Sequence, residues 1–351
     1  MVKKKKGLIS VKQLFIYPVK SLSGISLQRA QICLNGFKHD REWMITDSDY
    51  QFVTQRQIES MATIRVEIDS AKLTLHYLDS KPLVISLDFS RKKLVKATVW
   101  QDRCEAYDEG EEASIWLTRH LGKYKGSTLR LVRFSPNERR AVPDEYLNSE
   151  KAQSAFSDQF PYLITSSVSL DYLNTSLALN GASVVAMDRF RANVVVDRLE
   201  QIEKKTLYYL KEMGGRYRFA MRKPCTRCKI TTIQQDTGVV DNPKEPLATL
   251  LKLNLTGDGK DAIFGQNGPR VGSPAEGWIV GYAARVVGAK KAREMWMLCR
   301  RYKAEEALAM GLCNVVVPLD ELDSEVEKWC GEILSLSPTC LKVVKASFTQ
   351  T

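Results

Sequence analysis

The sequence predicts an α+β chain, and three observations carry that prediction. Up to about residue 95, short runs of alternating apolar and polar residues are separated by Gly, Asn, Asp and Ser, which reads as a small barrel or twisted sheet. From about residue 160, strand-like and helix-like stretches intermingle. After Ala289 the apolar residues recur at three- and four-residue spacing, the period of a helix face. At roughly 100–200 residues per domain, 351 residues predict two or three domains.

In chain order, residues 11–17 form the first strand, which Pro18 ends. Residues 42–46 and 50–55 flank a turn at Asp47, Ser48 and Asp49, and residues 72–76 alternate as another strand. Over residues 111–121, Ala113, Ile115, Trp116 and Leu121 shift to helical spacing. Residues 135–154 are polar and read as a surface loop. Strand 160–164, helix 169–179 and strand 192–196 follow. One strand enters Cys225, another leaves it over residues 229–233, and residues 234–238 turn. In the last part, Ala292, Met295, Trp296 and Cys299 share one helix face. Helices are also expected over 303–310, capped by Gly311, over 320–334, and from Pro338 after the cap Ser337.

Composition narrows the function classes. With 44% hydrophobic and 26% charged residues, the chain falls outside disordered and fibrous ranges. No stretch approaches the ~20 unbroken apolar residues that span a bilayer. The lysines at positions 3–6 precede a mixed stretch instead of a signal peptide's apolar run, so a cytoplasmic protein is expected. The 52 Lys+Arg and 41 Asp+Glu give a net charge of +11; 11 and 10 of these fall at residues 267–351, leaving +10 to the first 266. That excess predicts one concave cationic pocket where Lys20, Arg41 and Arg191 converge. No zinc-finger, basic-zipper or RNA-recognition signature is present, so no nucleic-acid partner is expected. Eight cysteines are too sparse for a disulfide scaffold, and only Cys225 and Cys228 form a close pair.

That pair is the sharpest chemical feature. Thiolates form beside positive charge, and Arg222, Lys223, Arg227 and Lys229 flank Cys225 and Cys228. The spacing suits a reactive or metal-ligating sulfur, and equally a packed or redox pair. A thioredoxin-like pair would open a helix, whereas residues 229–233 read as strand. Lys20 and Ser21 stand at a strand end, where a point charge and turn donors suit an anion. Arg41 and Arg191 offer forked donors to phosphate, or surface ion pairs.

The succession Tyr17-Pro18-Val19-Lys20-Ser21, Asp40-Arg41-Glu42-Trp43, Arg191-Ala192-Asn193 and Lys223-Pro224-Cys225-Thr226-Arg227-Cys228 continues to Thr231-Thr232, Asp236-Thr237-Gly238 and Glu245-Pro246-Leu247. Over residues 9–266 it resembles the MOSC family, in particular members with an N-terminal MOSC β-barrel such as the amidoxime-reducing components. The resemblance implies that barrel over 9–127 and a MOSC β-barrel domain with peripheral helices over 128–266. In the family a cysteine thiolate ligates molybdenum held by a pterin dithiolene, a soft-sulfur environment. Carried over, Cys228 is the metal ligand and, with its companion Cys225, catalytic. Lys20, Ser21, Arg41, Arg191, Asn193 and Thr226 then hold the molybdopterin and its phosphate. Pyridoxal phosphate binding is a further family-level implication.

Residues 267–351 tell another story. Gly268-Pro269-Arg270-Val271-Gly272-Ser273, Ala284-Arg285-Val286-Val287-Gly288, Met310-Gly311-Leu312-Cys313-Asn314 and Ser337-Pro338-Thr339 resemble the C-terminal half of crotonase-superfamily enzymes, in particular 1,4-dihydroxy-2-naphthoyl-CoA synthase. The two likenesses meet at Phe264-Gly265-Gln266-Asn267-Gly268, as in a gene fusion. The MOSC family continues past Phe-Gly-Gln with about two further strands, which the crotonase-like text replaces. The synthases' Ser-Phe-Asp stands here as Ser273-Pro274-Ala275, without its carboxylate, and the half that supplies oxyanion-hole amides is missing. A helical appendage or oligomerisation element is therefore expected over 267–351. Taken together, the likenesses imply a molybdenum-cofactor oxidoreductase that reduces small N-hydroxylated or N-oxide substrates. Its electron donor is external, of iron–sulfur, flavin or haem type, because neither a Cys-rich cluster motif nor a flavin fingerprint is present. A cofactor or sulfur carrier without turnover, and a naphthoyl-CoA synthase-like lyase, are the alternatives. A second copy bound through the C-terminal helices is the other implied partner.

Overall fold

The computed structural model describes residues 9–88, 92–147, 150–199, 203, 208–211, 218–253, 259–271, 283–298, 300 and 302–349. The lysines at 3–6, the Ser273-Pro274-Ala275 departure and Cys299 lie outside them. The chain divides into two units, Met1–Ser273 and Pro274–Thr351.

A six-stranded sheet, ordered Lys223–Thr226, Ile263–Gly268, Tyr162–Ser166, Val194–Asp197, Ser10–Ile16, Ile25–Leu27, organises the first unit. Its central strands Tyr162–Ser166 and Val194–Asp197 run parallel, joined through helix Ser167–Leu179, and the other pairings are antiparallel. Parallel neighbours need such a crossover, and their near-continuous apolar runs match burial on both faces. Ser166 starts the helix because its hydroxyl accepts from the Val168 amide, satisfying one of the free first-turn donors.

Two further sheets build the N-terminal part. One is Trp43–Thr46, Arg130–Phe134, Asp102–Asp108, Lys93–Val99, and the other is Arg65–Ile68, Lys72–His76, Leu83–Ser86. Helix Glu111–Leu121 follows Gly110 with Glu111 and Glu112 in its first turn, where carboxylates meet the positive helix end, and buries Ala113 and Leu117. Trp43, Leu73, Leu117 and Leu131 meet in the core beneath it.

Several elements differ from the sequence expectation. Residues 229–233 are not a strand: Lys229–Thr232 is a single 3₁₀ turn capped by Cys228, whose carbonyl accepts from the Thr231 amide and hydroxyl. Over residues 50–55 only isolated bridges form, at Gln51 and Phe52. The loop 135–154 is anchored, since Arg140 and Val142 are buried. Helix Leu247–Leu253 and the hairpin Tyr208–Lys211 with Arg218–Met221 carry no signal that stood out in the sequence.

The sheet runs across the junction. Ile263–Gly268 pairs with both neighbours as far as Asn267 and Gly268, and Arg270–Val271 pairs with Arg218–Met221. Backbone ladders are blind to side chains, so the first crotonase-like residues serve as strand. Gly268 is required there, because a Cβ would lie 1.8 Å from the Ala220 carbonyl oxygen. In the second unit, helices Ala289–Leu298, Ala304–Ala309, Leu322–Leu334 and Pro338–Thr349 follow the expected spacing. Among their described residues only Ala292 is buried, while Trp296 of the anticipated face is 37% exposed.

Candidate functional site

A cleft of about 260 Å³ opens in the first unit, and all eight residues named from sequence line it: Lys20, Ser21, Arg41, Arg191, Asn193, Cys225, Thr226 and Cys228. Four stretches of chain bring them together. The end of Ser10–Ile16 leads to Lys20 and Ser21, the turn before Trp43–Thr46 carries Arg41, the turn before Val194–Asp197 carries Arg191 and Asn193, and Lys223–Thr226 carries Cys225 and Thr226 and leads to Cys228 at the cap of the following 3₁₀ turn. Ser21, Arg41 and Arg191 all have left-handed backbones, with φ of 69°, 50° and 54°. Each such residue costs on the order of 1 kcal/mol or more without glycine, and three of the nine found among the described residues line this cleft.

A bulge lies opposite Cys225. Lys223 pairs with Asn267 and Pro224 with Gln266, but Thr226 pairs with Ile263, so the register breaks at Cys225. Phe264 and Gly265 together oppose Cys225, so the extra residue belongs to the partner strand, where Gly265 has a left-handed φ of 83°. The flanking cations divide unequally. Arg227 Nη1 donates to Cys225 Sγ at 2.9 Å. Arg222 turns away to Glu150 at 2.6 Å, Lys223 reaches Tyr146 and Gln159, and Lys229 pairs with Glu59. Of the four cations that flank the pair in sequence, one makes a direct contact, on Cys225, because Arg222, Lys223 and Lys229 are engaged by other side chains.

The electrostatics are those of an anion site. Lys20, Arg41, Arg56, Arg191, Lys223 and Arg227 line the cleft, and Asp158 is the single carboxylate lining it. Lys20 donates to the Phe156 carbonyl at 2.8 Å and pairs with Asp158. Burial lowers Lys20, with Asp158 opposing. Asp158, whose side chain is 57% exposed, has its carboxyl held well below the usual carboxylate range by Lys20 and Arg56. Arg41 Nη1 donates to both Asp40 carboxylate oxygens, at 2.7 and 2.6 Å, and Nη2 donates to the Arg191 carbonyl at 2.8 Å. The guanidiniums of Arg41 and Arg191 lie 4.4 and 4.3 Å from the Tyr17 ring centroid, within cation–π range.

Arg191 is the most telling member. It is 8% exposed, Nη1 meets Gln235 Oε1 at 3.3 Å, and Nη2 has no partner among the described residues. Burial pushes it down to about 10, so it is charged at neutral pH. A buried unmet donor costs about 1–3 kcal/mol or more when charged, which a bound anion would recover. Asn193, by contrast, uses its amide on the backbone: Oδ1 accepts from the Leu163 amide at 3.2 Å and Nδ2 donates to the Phe15 carbonyl at 3.3 Å. It positions strands rather than presenting free donors.

Comparison with known families follows this geometry. Residues 8–124 match the model of the MOSC N-terminal beta barrel domain, and residues 151–280 match that of the MOSC domain. Residues 8–280 belong to the MOSC family. Residues 255–351 match the enoyl-CoA hydratase/isomerase model, so the two likenesses overlap across the junction strand. A similar solved structure is the solution structure of a protein from Bordetella bronchiseptica. It is 21% identical over 32% of this chain and 92% of that chain, with a TM-score of 0.25.

MOSC domains are associated with the molybdenum cofactor, and the MOSC cleft here offers a matching donor set: two sulfurs, clustered cations and an unmet buried guanidinium. Arg56, Asp158, Tyr17 and Gln235 were not anticipated. Arg56 and Asp158 lie on loops without periodicity, whereas Tyr17 opens the run Tyr17-Pro18-Val19-Lys20-Ser21 and is the one of the four that the sequence pattern marks. No described helix is long and apolar enough to cross a membrane.

Proposed function

We propose that the MOSC cleft holds a molybdenum–pterin cofactor through Cys228 and serves the reduction of small N-hydroxylated or N-oxide compounds by an external electron donor. The observation that supports this reading is the unpartnered, buried Nη2 of Arg191 in a six-cation cleft that also carries both cysteines. When bound, the cofactor supplies two-electron chemistry at a sulfur-ligated metal.

The chain's own residues do the rest. Cys228 offers one sulfur at the start of a 3₁₀ turn whose hydrogen bonds to its carbonyl fix its backbone. Arg227 braces the Cys225 sulfur and donates to the Phe190 carbonyl at 2.8 Å, tying the cysteine strand to the Arg191 turn. Arg191 and Arg41 receive the anionic end, and the Gln55–Gln235 amide pair holds Arg191 in line with the Ser21 carbonyl. Lys20 adds charge once Asp158 yields it.

The test is elemental analysis of the full-length protein from a host that makes the cofactor. Molybdenum near one per chain is expected, and Cys228→Ser should remove one Mo–S contact by X-ray absorption while changing stability by no more than about 0.5 kcal/mol. Molybdenum-free protein, or equal Mo–S contacts in both forms, would sink the reading.

A further inference from the structure

Tyr162 and Leu163 are consecutive on the central strand, so their side chains leave opposite faces of the sheet. Leu163 lines the MOSC cleft, while Tyr162 lines a second cavity of about 410 Å³, within the range of small-molecule sites. Nothing in the proposed chemistry uses it.

Tyr162 is 1% exposed, and its hydroxyl has no hydrogen-bond partner among the described residues. Its ring is held edge-on by Phe37 and Phe219, with centroids 5.0 and 5.1 Å away, so the hydroxyl cannot swing to a new partner without breaking that packing. Burial pushes the phenol up, and the nearby Arg270 charge opposes it. Arg139, Lys151 and Arg270 line the cavity against the single carboxylate of Asp144, and none of the three cations has a salt-bridge partner among the described residues. Much of the remaining wall is apolar, including buried Val142 and Pro269.

We infer that this second cavity is a binding site for a small organic carboxylate with an apolar body. The carboxylate accepts a hydrogen bond from the Tyr162 hydroxyl and a forked pair from Arg270, and the apolar body lies against Val142 and Pro269. An inorganic anion would leave the apolar wall wet, and a neutral apolar molecule would leave the hydroxyl and guanidinium unmet. Arg270 and Pro269 belong to the crotonase-like text, so the junction itself supplies part of the site.

Benzoate is the probe, titrated into the full-length protein by calorimetry, with benzamide as the neutral control. Binding at about 1 mM or tighter is expected for benzoate, and at least tenfold weaker for benzamide. Tyr162→Phe and Arg270→Gln should each weaken benzoate by about tenfold, the loss of one hydrogen bond to a charged group. The ligand-free Tyr162→Phe protein should melt about 2–4 °C higher, because an unmet buried hydroxyl is gone; a hydroxyl with a structural partner would give the opposite sign. Cys228→Ser should leave benzoate affinity unchanged, which separates this site from the cleft. No benzoate binding at about 10 mM, or unchanged affinity in both cavity variants, would overturn the inference.

Discussion

The two units share a chain but not a way of being stable. In the first, Trp43, Phe156, Tyr162, Phe190 and Phe264 are all fully buried or within 1% of it. In the second, Ala283 and Ala292 are the buried apolar residues among those described, while Leu319, Leu334 and Met297 are 86, 83 and 78% exposed. Its four helices have 10, 6, 13 and 12 residues. Helices below ~12–15 residues are marginal alone, and packing of an apolar face normally holds them. Likeness to a family thus carries helix positions across a junction without carrying the partner that buries them.

Glycine substitutions give the largest contrast. Gly268→Ala drives a methyl into the Ala220 carbonyl, and a loss above about 4 kcal/mol or failure to fold is expected in urea titration. Gly331→Ala meets nothing within 4 Å and sits inside helix Leu322–Leu334, so a gain of about 0.5–1 kcal/mol is expected. Similar effects at both positions would break the comparison. Next come the tryptophans. Trp43→Ala should cost about 3–5 kcal/mol, and Trp329→Ala no more than about 0.5 kcal/mol, read from the same titrations.

A smaller effect sharpens the account of the first unit. Burial pushes the Tyr17 phenol up to about 12, with Arg191 and Arg41 opposing, from an ordinary value of 10.0. The folded state therefore keeps this proton more firmly than the unfolded chain. Its contribution is complete below pH 10 and fades as pH rises toward 12, on the order of 2 kcal/mol. Tyr17→Phe should remove that alkaline step, seen as a shallower fall in urea midpoint between about pH 10 and pH 12. Parallel pH profiles would refute it.

The smallest expected change is in the cleft when the second unit is removed. Deleting residues 274–351 should leave molybdenum content unchanged and lower the mass seen by light scattering, if the exposed helices pair with a second copy. An unchanged mass would discard that pairing. The intact protein should show no turnover of succinylbenzoyl-CoA above the uncatalysed rate, followed by product absorbance.

Periodicity made much of this legible. Helix Glu111–Leu121 and strand Lys72–His76 stand where spacing puts them, because local pattern and tertiary burial agree there. Residues 229–233 misled for a physical reason: the β-branched run Ile230, Thr231, Thr232, Ile233 favours extended chain, but two threonine hydroxyls bond back to carbonyls three residues earlier and close a turn. The eight cleft residues named from sequence were reachable through motif order, since they come from four distant stretches. Asp158 stayed hidden because a lone acid on a loop has no pattern; its meaning arises from the Lys20, Arg56 and Trp100 groups that fold against it.

The strand Ile263–Gly268 also bears on how such a chain could arise by recombination. A β-strand is read in steps of two, so a breakpoint inside it must preserve phase as strictly as a coding frame preserves triplets. One residue gained or lost ahead of Phe264 would turn that ring from its stack on Phe190, 3.8 Å away, to the opposite face, and would carry Gly268 out of the gap beside Ala220. A crossover within Phe264-Gly265-Gln266, where the two likenesses meet, keeps that count. Protein chimeras seamed within a sheet should accordingly tolerate foreign text two residues at a time.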